Sequence, residues 1–526
     1  MSDHESQRKT WPFATLLPWS VMYNYPPPQY LPKAVPPQPS LWPPAPDAKF
    51  DVWRTKTGQV ATPAHQIYIH VPFCPFICDF CPFYKVKSPG EDIREQFTRT
   101  LIREIELNGR VTAASSREYS VVYFGGGTPT ELQPEQLGRI LGALRRAFAL
   151  SPDVEITLEG VARQMLRPGY LEACFGMGFN RLSFGVQSLD EVVRSSIGRS
   201  GESLDDYPRA IAQARAINPD VPINVELLHG CPDQTDESVV ADLKELIAWQ
   251  VTSIDLFSYI MLPGTPLYRK VVKGEISQPR YGRHLLNQRR LGKALLEANG
   301  YRQVAGEMFK RAGDRGLFSH SFYGSRGNAT HCILPLGPSA FGHLDGTVYR
   351  NVPNLHSYTD LVSKDVLPVA QALTMSSEQA RRRALLLAVA HLEIPRAFIA
   401  TRRERDAIAR WLARGLVTET ADGWSLTPEG TLWYNQMQIE LLPMSDFFRN
   451  LRLLGSIEEQ ALLLSGATPL GREILALARS YGGVPSWVLA LIYRGYLATA
   501  SVTGGIRTQG VGWLGPAKRV GKVRGA

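Results

Sequence analysis

Cysteine is scarce, with six in 526 residues, and Cys174, Cys231 and Cys332 stand far apart. So thin a supply is not the framework of a secreted disulfide scaffold. No uninterrupted apolar run approaches the ~18 residues of a membrane span. The first nine residues, Met1 to Lys9, lack the apolar core of a signal peptide. Charge of one sign is also in short supply: 58 Lys and Arg face 49 Asp and Glu, and the net +9 is spread along the chain. It is dense only near the C-terminus, at Lys518, Arg519, Lys522 and Arg524. With no nucleic-acid recognition motif beside it, that cluster reads as a solvated tail. The expectation is a cytoplasmic protein with neither a membrane nor a nucleic acid as partner.

The other three cysteines are crowded together. Cys74, Cys78 and Cys81 form a Cys-x3-Cys-x2-Cys pattern between His70 and Tyr84. Thiolates are soft ligands, and this spacing suits an iron–sulfur cluster or zinc better than a disulfide. Three local ligands would leave one iron of a four-iron cubane open to an outside ligand. A closed zinc site needs a fourth protein ligand, which His70 or a distant cysteine could supply. The spacing favours the cluster and leaves zinc as the alternative.

The chain is long enough for more than one domain, and its 44% hydrophobic content is ordinary for a globular protein. Residues 1–64 are rich in proline and aromatics, so they are expected to be extended and draped over the domain that follows. From residue 65 to about 300, β-rich runs alternate with helical stretches. The runs are Gln66–Val71, Ser120–Phe124, Val154–Leu158, Arg181–Val186, Ile223–Leu228 and Ser253–Ile260. The helical stretches are Ile93–Asn108, Pro134–Ala149, Tyr170–Met177, Asp190–Ile217, Glu237–Gln250 and Gly282–Ala298. That alternation predicts βαβ units and a parallel sheet, with too few units for a closed eight-stranded barrel. The cysteine loop follows the first strand and Gly125-Gly126-Gly127-Thr128-Pro129 follows the second, so both fall on one face. Residues 300–370 are expected to add strands and loops that close the mouth. Helices are expected at Glu378–Leu392 and Glu404–Ala413, then a small β wing. Beyond residue 443, Ile457–Leu464, Gly471–Ser480 and Trp487–Arg494 read as helices ahead of the basic tail.

The stretch from His70 to Tyr84 resembles the signature of radical S-adenosylmethionine (SAM) enzymes, and its flanks resemble the HemN-like subgroup named for oxygen-independent coproporphyrinogen dehydrogenase. The resemblance covers roughly residues 65–440. It implies an α/β fold: an open (β/α)6 partial TIM barrel over residues 65–370, with a helical, winged-helix-like domain over residues 371–443. Residues 1–64 and 444–526 are extensions to that pattern. The resemblance further implies that Cys74, Cys78 and Cys81 hold a [4Fe-4S] cluster whose fourth iron takes SAM, and that Tyr68 lies near both. Phe80 matches an aromatic near adenine. Gly125, Gly126, Gly127 and Thr128 match the loop that receives the SAM amino group, and Glu159 a carboxylate facing SAM. Gln187 matches a polar SAM contact and Arg199 a partner for the methionine carboxylate. Glu226 stands where the family usually has Asp, one methylene longer at a ligand-facing position, and Cys231 stands in place of Leu. Tyr68 and Glu159 are the candidate catalytic residues.

One departure bears on the reaction. Members that decarboxylate coproporphyrinogen carry a fourth cysteine two residues after the third, and here that residue is Phe83. The leading expectation is therefore an enzyme of the branches whose chemistry has diverged, using two SAM molecules. One SAM would yield the 5′-deoxyadenosyl radical. The second would supply a methyl carbon for C-methylation, or with a partner methyltransferase for cyclopropanation, of an aromatic natural product. The alternatives are coproporphyrinogen decarboxylation or another reaction on a tetrapyrrole, and a non-catalytic heme chaperone. Each enzyme reading calls for an electron donor such as flavodoxin or ferredoxin. A zinc-binding or winged-helix DNA protein is the most distant reading.

Overall fold

Gln66, Ile67, Ile69, His70 and Val71 are all buried, so both faces of the first strand are covered. Near-continuous burial of that kind belongs to a parallel strand sandwiched between layers. The protein is described by a computed structural model covering residues 65–441, apart from 200, 260–264, 278, 280–282 and 312–331. Six parallel strands run in sequence order: β1 (His65–Val71), β2 (Glu118–Gly126), β3 (Ala149–Gly160), β4 (Arg181–Gln187), β5 (Ile223–His229) and β6 (Ser253–Ser258). The intervening helices α1 (Glu91–Gly109), α2 (Pro134–Ala147), α3 (Tyr170–Met177), α4 (Glu191–Ser196), α5 (Asp206–Ile217) and α6 (Asp236–Ala248) follow the expected order. The fold is α/β with the parallel sheet that the alternation predicts, arranged as the open partial barrel that the resemblance implies.

One expected helix is two. The stretch Asp190–Ile217 breaks between α4 and α5, where Gly198 and Gly201 take φ of 68° and 97°. A Cβ on Gly198 would sit 2.6 Å from the Asp79 carboxyl carbon. The break thus makes room for the cysteine loop.

The later segment lengthens the sheet at both edges. After α7 (Pro266–Val272) and α8 (Arg283–Ala298), a hairpin of β7 (Tyr301–Ala305) and β8 (Met308–Arg311) pairs antiparallel with β6. At the other edge β9 (Ile333–Leu336) lies parallel to β1. β10 (Phe341–Leu344), β11 (Thr347–Asn351) and, beyond α9 (Leu355–Ser363), β12 (Val369–Thr374) follow antiparallel. The twelve-stranded order is β12-β11-β10-β9-β1-β2-β3-β4-β5-β6-β8-β7.

α10 (Ser377–Ala390) and α11 (Arg402–Ala413) begin with the reciprocal caps of Ser376 and Thr401. They pack with a small sheet of β13 (Glu393–Pro395), β14 (Val417–Thr420) and β15 (Gly423–Leu426), and with α12 (Tyr434–Leu441). Their core residues, Leu385, Trp411, Trp433 and Tyr434, share one apolar cluster with Tyr123, Tyr259 and Leu267 of the barrel. Arg289 of α8 reinforces that junction by donating to the Leu432 carbonyl at 2.7 Å. Among the described residues no helix is long and apolar enough to cross a membrane. The proline-rich segment, the helices expected after residue 443 and the basic tail lie outside the described residues.

Candidate active site at the strand ends

The cysteine loop leaves β1 and is pinned on every side. Cys74 ends a short parallel pair, Phe73–Cys74 with Val86–Lys87. The Asp79 amide donates to Ile197 at 3.1 Å, and its carbonyl accepts from Leu267 at 3.0 Å. Its carboxylate meets Lys270 of α7 at 2.6 Å. Tyr84 closes the loop: its hydroxyl accepts from the Leu355 amide at 2.8 Å and its carbonyl from His70 Nε2 at 2.9 Å. A carbonyl only accepts, so His70 carries its proton on Nε2 and leaves Nδ1 to accept from the Tyr68 hydroxyl at 3.2 Å. Burial pushes His70 down to about 4, consistent with a neutral ring.

All three loop cysteines are free thiols; Cys74 and Cys78 are buried and Cys81 is half-buried. Burial pushes Cys74 up to about 12 and Cys81 upward as well, and each feels the neighbouring thiols. Buried thiols crowded in this way become good ligands once a cationic centre stabilises their thiolates. Both nitrogens of His70 are engaged elsewhere, so it is not poised as a fourth ligand. Among the described residues no three His, Cys, Asp or Glu side chains converge on a single-ion position. Three thiolates that each take a different iron need not converge.

The glycine run after β2 is fixed by its neighbours. A Cβ on Gly125 would lie 2.6 Å from Glu159 Oε2; one on Gly126 would lie 2.5 Å from His70 Nδ1; one on Gly127 would lie 2.7 Å from the Phe73 carbonyl oxygen. Thr128 is buried and hydrogen-bonds the Cys74 thiol. The run therefore brings β2 against the cysteine loop and against Glu159.

Glu159 of β3 accepts from the Tyr123 hydroxyl at 3.1 Å and from the Gly126 amide. Burial pushes its carboxyl up to about 7. Glu226 faces Gly185 across β4 and β5 and is bonded by the Gln187 side chain. Its carboxyl is pushed well above the ordinary range, by burial first and then by Glu159 and Asp255. Gln187 reaches this place through a positive φ of 70° at the end of β4. Tyr68 lies among Glu159, Glu226 and Cys81, and burial raises its phenol. Its ring stacks on Tyr123, with centroids 6.3 Å apart. Arg199 donates to Gly185 O at 2.5 Å and to Cys78 Sγ at 3.4 Å.

The sequence-predicted residues Cys74, Cys78, Cys81, Tyr68, Gly125, Gly126, Gly127, Thr128, Glu159, Gln187, Arg199 and Glu226 thus form one constellation at the C-terminal ends of β1 to β5. Phe80 packs at the margin of the apolar cluster that includes Tyr259 and the C-terminal helices. Cys231 is buried in the same cluster. Sequence reasoning missed Tyr123, which is in register with Tyr68. The signal was present, because Tyr123 alternates in phase with Gly125. It also missed Asp255, which faces Glu226 across β5 and β6 and accepts from Asn224 at 2.9 Å. Burial pushes Asp255 up to about 6.

The profile of the radical SAM superfamily matches residues 68–246. The chain carries a radical SAM domain. Its homologues are HemN-like. Anaerobilin synthase of Escherichia coli O157:H7 is 29% identical over 390 residues, which cover 72% of this chain and 84% of that protein. An oxygen-independent coproporphyrinogen III oxidase of Pseudomonas aeruginosa is 28% identical, over 70% of this chain and 83% of its own. The heme chaperone HemW of Mycobacterium tuberculosis is 28% identical, over 70% and 92%. Among solved structures, the coproporphyrinogen III oxidase HemN from Escherichia coli aligns with a TM-score of 0.63 at 23% identity, over 72% of this chain and 90% of that one. That last likeness is one of fold.

A radical SAM domain implies a [4Fe-4S] cluster and SAM, and the residues present fit both. Three soft ligands on one loop, with no fourth beside them among the described residues, match a cluster that leaves an iron open. The two half-buried carboxylates, Glu159 and Glu226, are held beside that loop at a cost that a cationic ligand would relieve. SAM carries an ammonium and a sulfonium.

Proposed function

We propose that this protein is a radical SAM enzyme acting on a tetrapyrrole. The carrying observation is the convergence of Cys74, Cys78 and Cys81 with Tyr68, Glu159 and Glu226 at the strand ends. The tetrapyrrole assignment draws on the relatives, whose names refer to a bilin, to coproporphyrinogen and to heme. When bound, a [4Fe-4S] cluster and SAM would supply one-electron reduction and radical chemistry at these strand ends. Cys74, Cys78 and Cys81 hold the irons. Glu159, with the turn Gly125 to Thr128, receives the SAM ammonium. Gln187 and Glu226 hold the nucleoside side of SAM, and Phe80 flanks its adenine. The His70–Tyr68–Tyr84 bonds keep the loop rigid around them. The electron comes from a small carrier of the flavodoxin or ferredoxin kind, and the exposed Ile77 and Phe83 at the loop's tip offer it an approach.

A second reading keeps the site and changes the reaction to C-methylation or cyclopropanation of an aromatic substrate with a second SAM, with or without a partner methyltransferase. Phe83 favours it, because it stands where the decarboxylating members have a fourth cysteine. One experiment separates the readings. The anaerobically reconstituted protein is given dithionite, methyl-deuterated SAM and a tetrapyrrole such as heme or coproporphyrinogen, and the products are followed by mass spectrometry. Tetrapyrrole-dependent 5′-deoxyadenosine without deuterium, with a modified tetrapyrrole, is the expected result. Deuterium in deoxyadenosine supports the second reading. Tight stoichiometric heme binding without turnover would mark a chaperone. Activity that survives Cys78→Ala would sink every radical SAM mechanism.

A further inference from the structure

We infer that Arg199 is a positioning residue for the iron–sulfur centre, and that its hydrogen bond to Cys78 raises the centre's reduction potential. The inference rests on the reading of Cys74, Cys78 and Cys81 as cluster ligands.

The guanidinium is committed to the cysteine loop and its surroundings. Nη1 donates to Cys78 Sγ at 3.4 Å, and Nη2 donates to Gly185 O at 2.5 Å. The guanidinium carbon lies 4.6 Å from the centre of the Phe76 ring, another residue of the loop. Nε lies 2.9 Å from the Glu202 carboxylate, close enough for an ion pair though not aligned as a hydrogen bond. The Arg199 side chain is only 11% exposed, so solvent screens its charge weakly.

Glu202 does not cancel that charge. It is shared with Arg194, which approaches it at 3.4 Å while donating to the Val186 and Ser188 carbonyls. Within this trio two guanidinium groups face one carboxylate, a surplus of one positive charge beside Cys78. A reduced cluster carries one more negative charge than an oxidised one. A donor aimed at a ligand sulfur, backed by net positive charge, therefore stabilises the reduced form more. Within the site Arg199 acts through Cys78, and the same guanidinium on Phe76 holds the loop in place.

The test is a redox titration of the full-length, anaerobically reconstituted protein without SAM, read by electron paramagnetic resonance. It compares wild type with Arg199→Lys, Arg199→Met and Glu202→Gln, and iron and sulfide content are measured for each. Arg199→Met should lower the reduced-to-oxidised ratio at fixed potential by roughly tenfold, which is about 59 mV for one electron. Arg199→Lys should recover part of that loss. Glu202→Gln removes the opposing charge and should move the ratio the other way. A structural role alone would not produce shifts of opposite sign.

Equal midpoint potentials in loaded wild type, Arg199→Lys and Glu202→Gln would overturn the inference, whether or not Arg199→Met assembles a cluster. Unchanged potentials with weakened SAM binding in a separate equilibrium-dialysis measurement would return Arg199 to the methionine carboxylate. A wild type that takes up no iron and sulfide would overturn the reading of the cysteines themselves, and that failure is visible before any variant is compared.

Discussion

Asp79 and Lys270 meet at 2.6 Å, joining the middle of the cysteine loop to the helix after the sixth strand. The Lys270 side chain is 42% exposed, so the pair contributes little to global stability, up to about 1 kcal/mol. Its importance is local, because Asp79 lies between Cys78 and Cys81. Lys270→Met should leave the thermal midpoint nearly unchanged and shorten the lifetime of the reconstituted cluster in the presence of an iron chelator. Bleaching of cluster absorbance at the wild-type rate would refute this.

Binding of SAM should strengthen as pH rises through neutrality. Burial holds the Glu159 carboxyl up at about 7, so it is largely protonated at pH 6 and largely ionised at pH 8. An ammonium or sulfonium prefers the ionised form. Equilibrium dialysis of the loaded protein between pH 6 and 8.5 should show the affinity rising, and Glu159→Gln should flatten the rise. At pH 8 that variant should bind SAM roughly 10- to 100-fold more weakly, the loss of one charge-assisted bond of about 1.5–3 kcal/mol. A slope that survives in Glu159→Gln would place the titrating group elsewhere.

Glu104 of α1 ties the turn after β9 to the end of β11 and to α9. Its carboxyl accepts from the Gly337 amide at 2.7 Å, from Asn351 at 2.7 Å and from the Tyr358 hydroxyl at 2.6 Å. Burial outweighs these bonds and raises it from the ordinary 4.5 to about 7. A carboxyl raised in the folded state adds stability that is complete below 4.5 and is lost as pH rises through about 7. Urea unfolding should therefore show this contribution declining between pH 5 and pH 8, and the decline should vanish in Glu104→Ala. That variant strands three donors and should lose on the order of 3 kcal/mol. A loss under about 1 kcal/mol would mean water replaces the carboxylate without strain.

Gly127→Ala should impair cluster loading more than Gly142→Ala. A Cβ at Gly127 would press on the Phe73 and Val71 carbonyl oxygens at 2.7 and 2.8 Å, whereas at Gly142 it would meet only the end of Arg146 at 3.3 Å. Iron content per chain after reconstitution is the readout. Equal loading in the two variants would show that the loop yields to the methyl group.

The parts of this fold written in local pattern were legible in the sequence. All six core strands fall where apolar runs alternate with helical stretches, and the cysteine motif with its glycine partner lands on one face. What depends on distant partners was not legible. The break at Gly198 follows from the approach of Asp79, more than a hundred residues away in sequence. Nothing local to Ile333–Leu336 announces that it will lie beside β1. Tyr123 and Asp255 belong to the site only because β2 pairs in register with β1, and β6 with β5. Glu159, Gln187 and Glu226 stood out because each lies in a motif. What the sequence did not carry is that two of them are carboxylates close enough for Glu159 to raise Glu226.

The placement of β9 also sets an order of assembly. The strand that launches the cysteine loop is interior, flanked by β2 on one side and by Ile333–Leu336 on the other. A chain growing from its N-terminus makes the cysteines early, yet their strand has both neighbours only after residue 336 has been made. Until then β1 is an open edge and its thiols stand on a half-built floor. Iron and sulfide delivered before Leu336 is made would meet a loop whose strand still lacks one neighbour.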